Sequence, residues 1–202
     1  MTEIVARTIE KLQKNKMEAY YVETAAEALE KIKELCPEGS LVASGGSATL
    51  AQIGAVDLFR SGKYDYADRY APDANMAVEA RRAFNADVYF LSANAITENG
   101  ELYNVDGTGN RVAALTFGPK SVIVVAGVNK IVPDMAAAVE RVENIAAPLN
   151  AQRLNKKTPC AATGKCHHCS SPDRICCVYH TAAQQREAGR IKVILVNESL
   201  GF

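Results

Sequence analysis

Cys160, Cys166, Cys169 and Cys176 follow the spacing C-x5-C-x2-C-x6-C, with Cys177 beside the last, so five of six cysteines fall within nineteen positions. Thiolates grouped in this way suit a soft metal. Cys166 and Cys169 can meet one ion through a tight turn, and the flanking pair completes four-coordination. A structural zinc and a Cys-ligated iron–sulfur cluster both satisfy the spacing, which does not separate them. Disulfides are the weaker reading, because the N-terminal stretch has no apolar signal-peptide core. A set of buried structural thiols is also weak, since Gly164, Lys165, two histidines and Pro172 interrupt the stretch. Lys165 and Arg174 would offset an anionic tetrathiolate, while His167, His168 and His180 are substitutes for one cysteine. Cys177 reads as a spare, and Cys36, at a predicted helix end, reads as core.

Two further stretches carry candidate chemistry. Gly45-Gly46-Ser47 lies between a predicted strand and a predicted helix, where the backbone can approach a ligand and helix-start N–H groups favour a phosphate or carboxylate. Ser47 and Thr49 add hydroxyl donors; the plainer reading is a tight turn with Ser47 as N-cap. The second stretch, SANAITENGELYNVDGTGNRVAAL (92–115), sets Asn94, Glu98, Asn104, Gly107, Thr108, Gly109 and Asn110 in polar, glycine-rich chain after an apolar run. A glutamate on a sharp turn at a strand end can serve as nucleophile or as acid/base. Asn-Gly also makes hairpin turns for purely conformational reasons. That explains Asn99 and Gly100 but not the polar run to Asn110.

These segments need a scaffold, and hydrophobic periodicity supplies one. Helical spacing is predicted over 3–16, after a capping box at Thr24 to Glu27, over 73–85, after the loop at 106–110, and over 134–146. Strands are predicted at 17–22, 40–44, 87–93, 121–127 and 191–197, with an extended piece at 101–105. SVIVVAG (121–127) is a continuous β-branched run of the kind found in parallel strands covered on both faces. Alternating strands and helices imply an α/β, three-layer, Rossmann-like fold with a mostly parallel sheet and helices on both faces. Ligands in such sheets bind beyond the strands' carboxyl ends. The loops at 44–47, 92–100 and 126–132 all qualify by position. Residues 1–202 read as a single domain, with 148–190 as a Cys-rich, metal-binding segment inserted near its C-terminal end.

Composition narrows the function classes. No apolar run reaches membrane-spanning length, and an N-terminal stretch charged throughout, without an apolar signal-peptide core, leads to the expectation of a cytoplasmic protein. Net charge is zero, but residues 1–150 carry 15 basic and 20 acidic side chains against 8 and 3 in residues 151–202. That asymmetry could attract an anion. An aromatic content of 6% and no interleaved basic and aromatic motif argue against nucleic acid. No nicotinamide, flavin or nucleotide fingerprint is present. A homo-oligomer is compatible with this reading.

SGGSATLAQIG, FLSANAITENGELYNVDGTGNRVAAL and SVIVVAGVNKIV, in this order, resemble the LUD (lactate utilization) domain family. The resemblance implies a fold like that of the superfamily of glucosamine-6-phosphate deaminase, ribose-5-phosphate isomerase and CoA transferases. It also implies a part in lactate or related organic-acid utilization alongside iron–sulfur partner proteins, with a small anionic metabolite as ligand. Gly45, Gly46 and Ser47 fall where that superfamily cradles a phosphate or carboxylate. Glu98 falls in a segment similar to the one holding the CoA-transferase nucleophile. Gln52 departs from the acidic residue often found in the glycine-loop helix. Two alternatives stand beside this reading: a CoA- or acyl-transferase-like enzyme using Glu98, and a redox-responsive binding or regulatory module controlled by the cysteine cluster.

Overall fold

A computed structural model describes residues 1–202. Helix α1 (Glu3–Lys14) buries Val5, Thr8 and Leu12 at helical spacing and leads to strand β1 (Glu18–Val22). Helix α2 (Ala25–Leu35) starts at the anticipated cap. Thr24 Oγ1 accepts from the Glu27 N–H at 3.2 Å, and the Glu27 carboxylate accepts from the Glu23 N–H at 2.7 Å. There follow β2 (Leu41–Ser44), α3 (Ala48–Gln52), α4 (Ala55–Arg60), β3 (Asp65–Ala67), α5 (Met76–Arg82), β4 (Val88–Leu91), β5 (Ala95–Thr97) and β6 (Leu102–Asp106). The chain continues through α6 (Asn110–Phe117), β7 (Ser121–Gly127), β8 (Ile131–Val132), α7 (Met135–Arg141), α8 (Ala147–Arg153), α9 (Pro159–Thr163), β9 (Val178–Ala182) and β10 (Ile191–Val196). No helix is long and apolar enough to cross a membrane.

The main sheet has six strands in the order β1-β10-β7-β4-β2-β3, all parallel. Period-two alternation sends adjacent residues to opposite faces. Val122 and Val124 of β7 join Tyr89, Leu91, Val193, Leu195 and the α1 residues Val5 and Leu12 in one core. Ile123 and Val125 join Phe90, Ile194, Ile32, Leu50 and Phe59 in the other. Both faces are therefore covered, which is why β7 reads as unbroken apolar sequence. The Rossmann-like, three-layer expectation holds.

A second sheet, in the order β8-β5-β6-β9, was not anticipated. β5 and β6 form an antiparallel hairpin closed by Glu98-Asn99-Gly100, and β9 adds to β6 antiparallel with Tyr103 opposite Thr181. Gly100 takes φ of +78°, and a Cβ there would stand 2.6 Å from the Leu12 nitrogen of α1. The turn thus requires glycine for conformation and for close approach. Within residues 148–190, α9 carries Cys160, β9 begins directly after Cys177, and Cys176 packs on a small core of Ala95, Tyr103, Ala138, Val142 and Ala147.

Two helix boundaries differ from expectation. The stretch expected at 73–85 is helical only over Met76–Arg82, followed by a 3-10 turn, because Asn75 caps it late by accepting from the Ala77 and Val78 N–H groups. The helix expected to stop at 146 instead passes through a π turn (Val142–Ala146) into α8. Pro148 follows the π turn directly within this continuous helical run, and it has no N–H to give to the preceding turn.

Candidate functional site

A cavity of about 260 Å³ opens at the carboxyl ends of β2, β4 and β7. Each of the three loops marked by position contributes. The loop after β2 supplies Gly46, Ser47 and Thr49; the loop after β4 supplies Ser92 and Asn94; and the turn after β7 supplies Lys130. Asp106, Gly107, Thr108, Asn110 and Arg111 form a further wall, and Arg69, Tyr70, Asn150, Arg153, Ile175 and Phe202 are among the other lining residues.

Lys130 decides the character of the cavity. Its residue surface is 4% exposed, and its Nζ donates to Thr49 Oγ1 at 3.0 Å and Ser92 Oγ at 2.9 Å. Among the ion pairs of the molecule it has none. Burial, and then the charges of Arg141 and Arg111, lower its pKa from an ordinary 10.5 to about 7.

Arg111 is a structural member of the wall. Nε donates to Asp106 Oδ1 at 2.8 Å, Nη1 to the Ser92 carbonyl at 2.8 Å and Asn104 Oδ1 at 2.6 Å, and Nη2 to Asn94 Oδ1 at 3.0 Å and the Val105 carbonyl at 3.2 Å. All five N–H groups are engaged, and Asp106 Oδ2 also accepts from the Val112 N–H at the start of α6. One carboxylate thus caps a helix and holds a guanidinium. Arg141, whose pKa burial lowers, fixes the loop after β4 by donating to the Asn94 carbonyl at 2.6 Å. With Asp106 committed to Arg111, no other acidic side chain lies among the lining residues to match the cations Arg69, Lys130 and Arg153. Arg69 Nε is buried without a partner. Its Nη1 donates to Asn110 Oδ1 at 2.8 Å in the amide orientation that satisfies both groups.

Of the residues expected to bind substrate, Gly46, Ser47, Thr49, Asn94, Gly107, Thr108 and Asn110 line this cavity. Gly45, Asn104 and Gly109 lie behind it. A Cβ on Gly45 would stand 2.9 Å from Arg111 Cδ, Asn104 holds Arg111, and Gly109 takes φ of +82° as the residue before α6. Glu98 is not brought there. Its hairpin turn presents the carboxylate to Arg7 of α1 in an ion pair, and Glu98 is not among the residues lining the cavity. Sequence reasoning missed Lys130, Arg111, Arg69 and Arg153. Lys130 lay in a loop marked by position, and no local signal distinguished it from a surface lysine.

The cysteines gather near the cavity's outer wall. Cys176 is half-buried and its thiol is pushed up to about 11, first by burial and then by the like charges of Cys160, Cys166 and Cys169, with Arg174 opposing. These are the four cysteines of the C-x5-C-x2-C-x6-C pattern. Cys177 is exposed, and Cys36 is buried at the end of α2. A mixed set overlaps the cluster: one donor atom each from Glu143, Cys166 and His168 lie within 4.8 Å of one another. Arg174 steadies the loop by donating to the Cys169 and Cys176 carbonyls. Ile175, between Arg174 and Cys176, lines the cavity, and the Cys177 N–H donates to the Asp106 carbonyl at 2.9 Å.

The sequence profile of the LUD domain matches residues 5–196. The fold is similar to the crystal structure of a DUF162 family protein from Deinococcus radiodurans, with 18% identity, 96% of each chain covered and a TM-score of 0.56. Weaker similarity is found to ribose 5-phosphate isomerase A from Methanocaldococcus jannaschii, at 17% identity, 63% and 56% coverage and a TM-score of 0.35. eIF2B delta from Chaetomium thermophilum gives 20% identity, 65% and 55% coverage and a TM-score of 0.36. No curated protein matches the chain.

Proposed function

The chain belongs to the LUD domain family, and on that premise we propose that it binds a small anionic metabolite of lactate or related organic-acid utilization in the cavity above β2, β4 and β7. One observation carries the reading: Lys130 is buried at the cavity without any acidic partner, beside Arg69 and Arg153. A buried cation lacking a counter-charge is costly, and a carboxylate or phosphate entering the cavity supplies what is missing. Gly46 lets the β2 loop and Tyr70 approach each other closely, since a Cβ there would meet the Tyr70 hydroxyl at 2.8 Å. Isothermal titration of L-lactate, acetate and inorganic phosphate into the protein and into Lys130→Met tests this. Saturable binding of at least one anion that the variant loses supports the reading, and equal heats from both proteins count against it.

The same reading gives Cys160, Cys166, Cys169 and Cys176 a thiolate-bound metal. The donor set fits. The Cys176 thiol, whose pKa is raised by burial and by the neighbouring cysteines, becomes favourable as a thiolate once a cation is shared with it. Zinc would tie α9 to β9 as a structural brace; an iron–sulfur cluster would supply one-electron transfer and suit a redox-responsive role. Metal and acid-labile sulfide analysis of protein purified without oxygen separates the two, and stoichiometric absence of both would remove the metal from the account.

A further inference from the structure

Lys130 is placed for more than charge compensation. Its amine contacts two hydroxyls and no carboxylate, and it lines the cavity. A neutral amine has two N–H bonds and one lone pair. Thr49 Oγ1 and Ser92 Oγ can accept both hydrogens, which leaves the lone pair uncommitted. The charged groups that bear on it are Arg141 and Arg111, both cationic, and they disfavour the ammonium form. A desolvated lysine beside other cations is the standard arrangement for an amine nucleophile at neutral pH.

We propose that Lys130 forms an imine with a small carbonyl compound that also bears a carboxylate or phosphate. The proposal rests on the anion-site reading above, with Arg69 and Arg153 taking the anionic end. The Nζ lone pair attacks the carbonyl carbon, forming the N–C bond, and the carbonyl π electrons pass to oxygen. The carbinolamine then loses water, and both amine hydrogens leave with that oxygen. No oxidant or reductant is consumed. The Thr49 and Ser92 hydroxyls, already hydrogen-bonded to Nζ, are positioned to relay the protons.

The test is reductive trapping. The protein is incubated with sodium cyanoborohydride and, in separate arms, pyruvate, glyoxylate or dihydroxyacetone phosphate, then digested and mapped by mass spectrometry. The expected result is saturable labelling of Lys130 at least about tenfold faster than any surface lysine, the advantage that a pKa several units lower confers at pH 7, and suppression of that labelling by acetate or phosphate. The arm that labels tells an oxo acid from a carbonyl phosphate. Labelling of Lys130 no faster than the surface lysines in every arm overturns the proposal. If anions bind by calorimetry while Lys130 stays unlabelled, the imine falls and the anion site stands; if no anion binds either, both fall. Lys130→Arg, which keeps a cation but has no nucleophilic amine, should lose the adduct. The wild-type peptide map decides the question should that variant fail to fold.

Discussion

Replacing Lys130 by methionine should change how stability depends on pH. Lys130 titrates near pH 7 in the fold and near 10.5 in the unfolded chain. Between those values the unfolded state therefore holds one proton that the folded state has given up. Stability contributed at this position must rise with pH across the window and level off above it. At about 1.4 kcal/mol per unit, a shift of roughly 3.5 units gives up to about 5 kcal/mol between pH 7 and 10.5, an upper figure for so buried a group. Below pH 7 both states are protonated, the slope vanishes, and the full burden of the buried charge remains. Methionine has similar length and no charge, so Lys130→Met lacks the slope while keeping every other titrating group. Urea unfolding of both proteins at intervals from pH 6.5 to 10 isolates the effect, since the shared titrations cancel in the difference. The reasoning requires the wild type to gain on the variant steadily above pH 7. Parallel stability curves would show that Lys130 keeps an ordinary pKa and that its burial is relieved by something else.

Other consequences follow from the same wall. Asp106→Asn leaves the Arg111 guanidinium without its carboxylate, and a loss of about 3–5 kcal/mol is expected by denaturant titration, together with weakened anion binding. Glu98→Ala, which removes a carboxylate paired with Arg7 outside the cavity lining, should leave anion affinity unchanged in calorimetry; a large loss would return Glu98 to the site. Gly45→Ala drives a methyl group into Arg111, and a cost of about 1–3 kcal/mol is expected from the forced shift. If the cysteines hold the proposed metal, stripping it should lower anion affinity, because Ile175 and the Cys177 N–H connect that loop to the cavity wall and Asp106; unchanged affinity in the chelated protein would separate the two sites.

The main sheet was legible where burial on both faces left continuous apolar sequence, as in β7 and β10, and where local chemistry marked a start, as Thr24 and Glu27 do for α2. The second sheet was not. β5, β8 and β9 are short, and their pairing is settled by contacts between segments distant in sequence, so no local period announces them. Among the residues lining the cavity, Gly46, Ser47, Asn94, Gly107, Thr108 and Asn110 stand out in the sequence because glycine and short polar residues fall between apolar strands. Glu98 was singled out by turn chemistry that serves the hairpin. Lys130 could not be read at all: its meaning lies in burial without an acid, which exists only once β2, β4 and β7 are brought side by side.

The central claim, that Lys130 awaits an anion, is tested most directly by proton uptake. Calorimetric titration with a non-carbonyl anion such as L-lactate or phosphate at pH 8, in two buffers of different ionisation enthalpy, measures the protons taken up per ligand. The account predicts uptake approaching one proton, because the anion's charge raises the Lys130 pKa above the working pH, and no uptake in Lys130→Met. Binding with no proton uptake, or with equal uptake in both proteins, would contradict it.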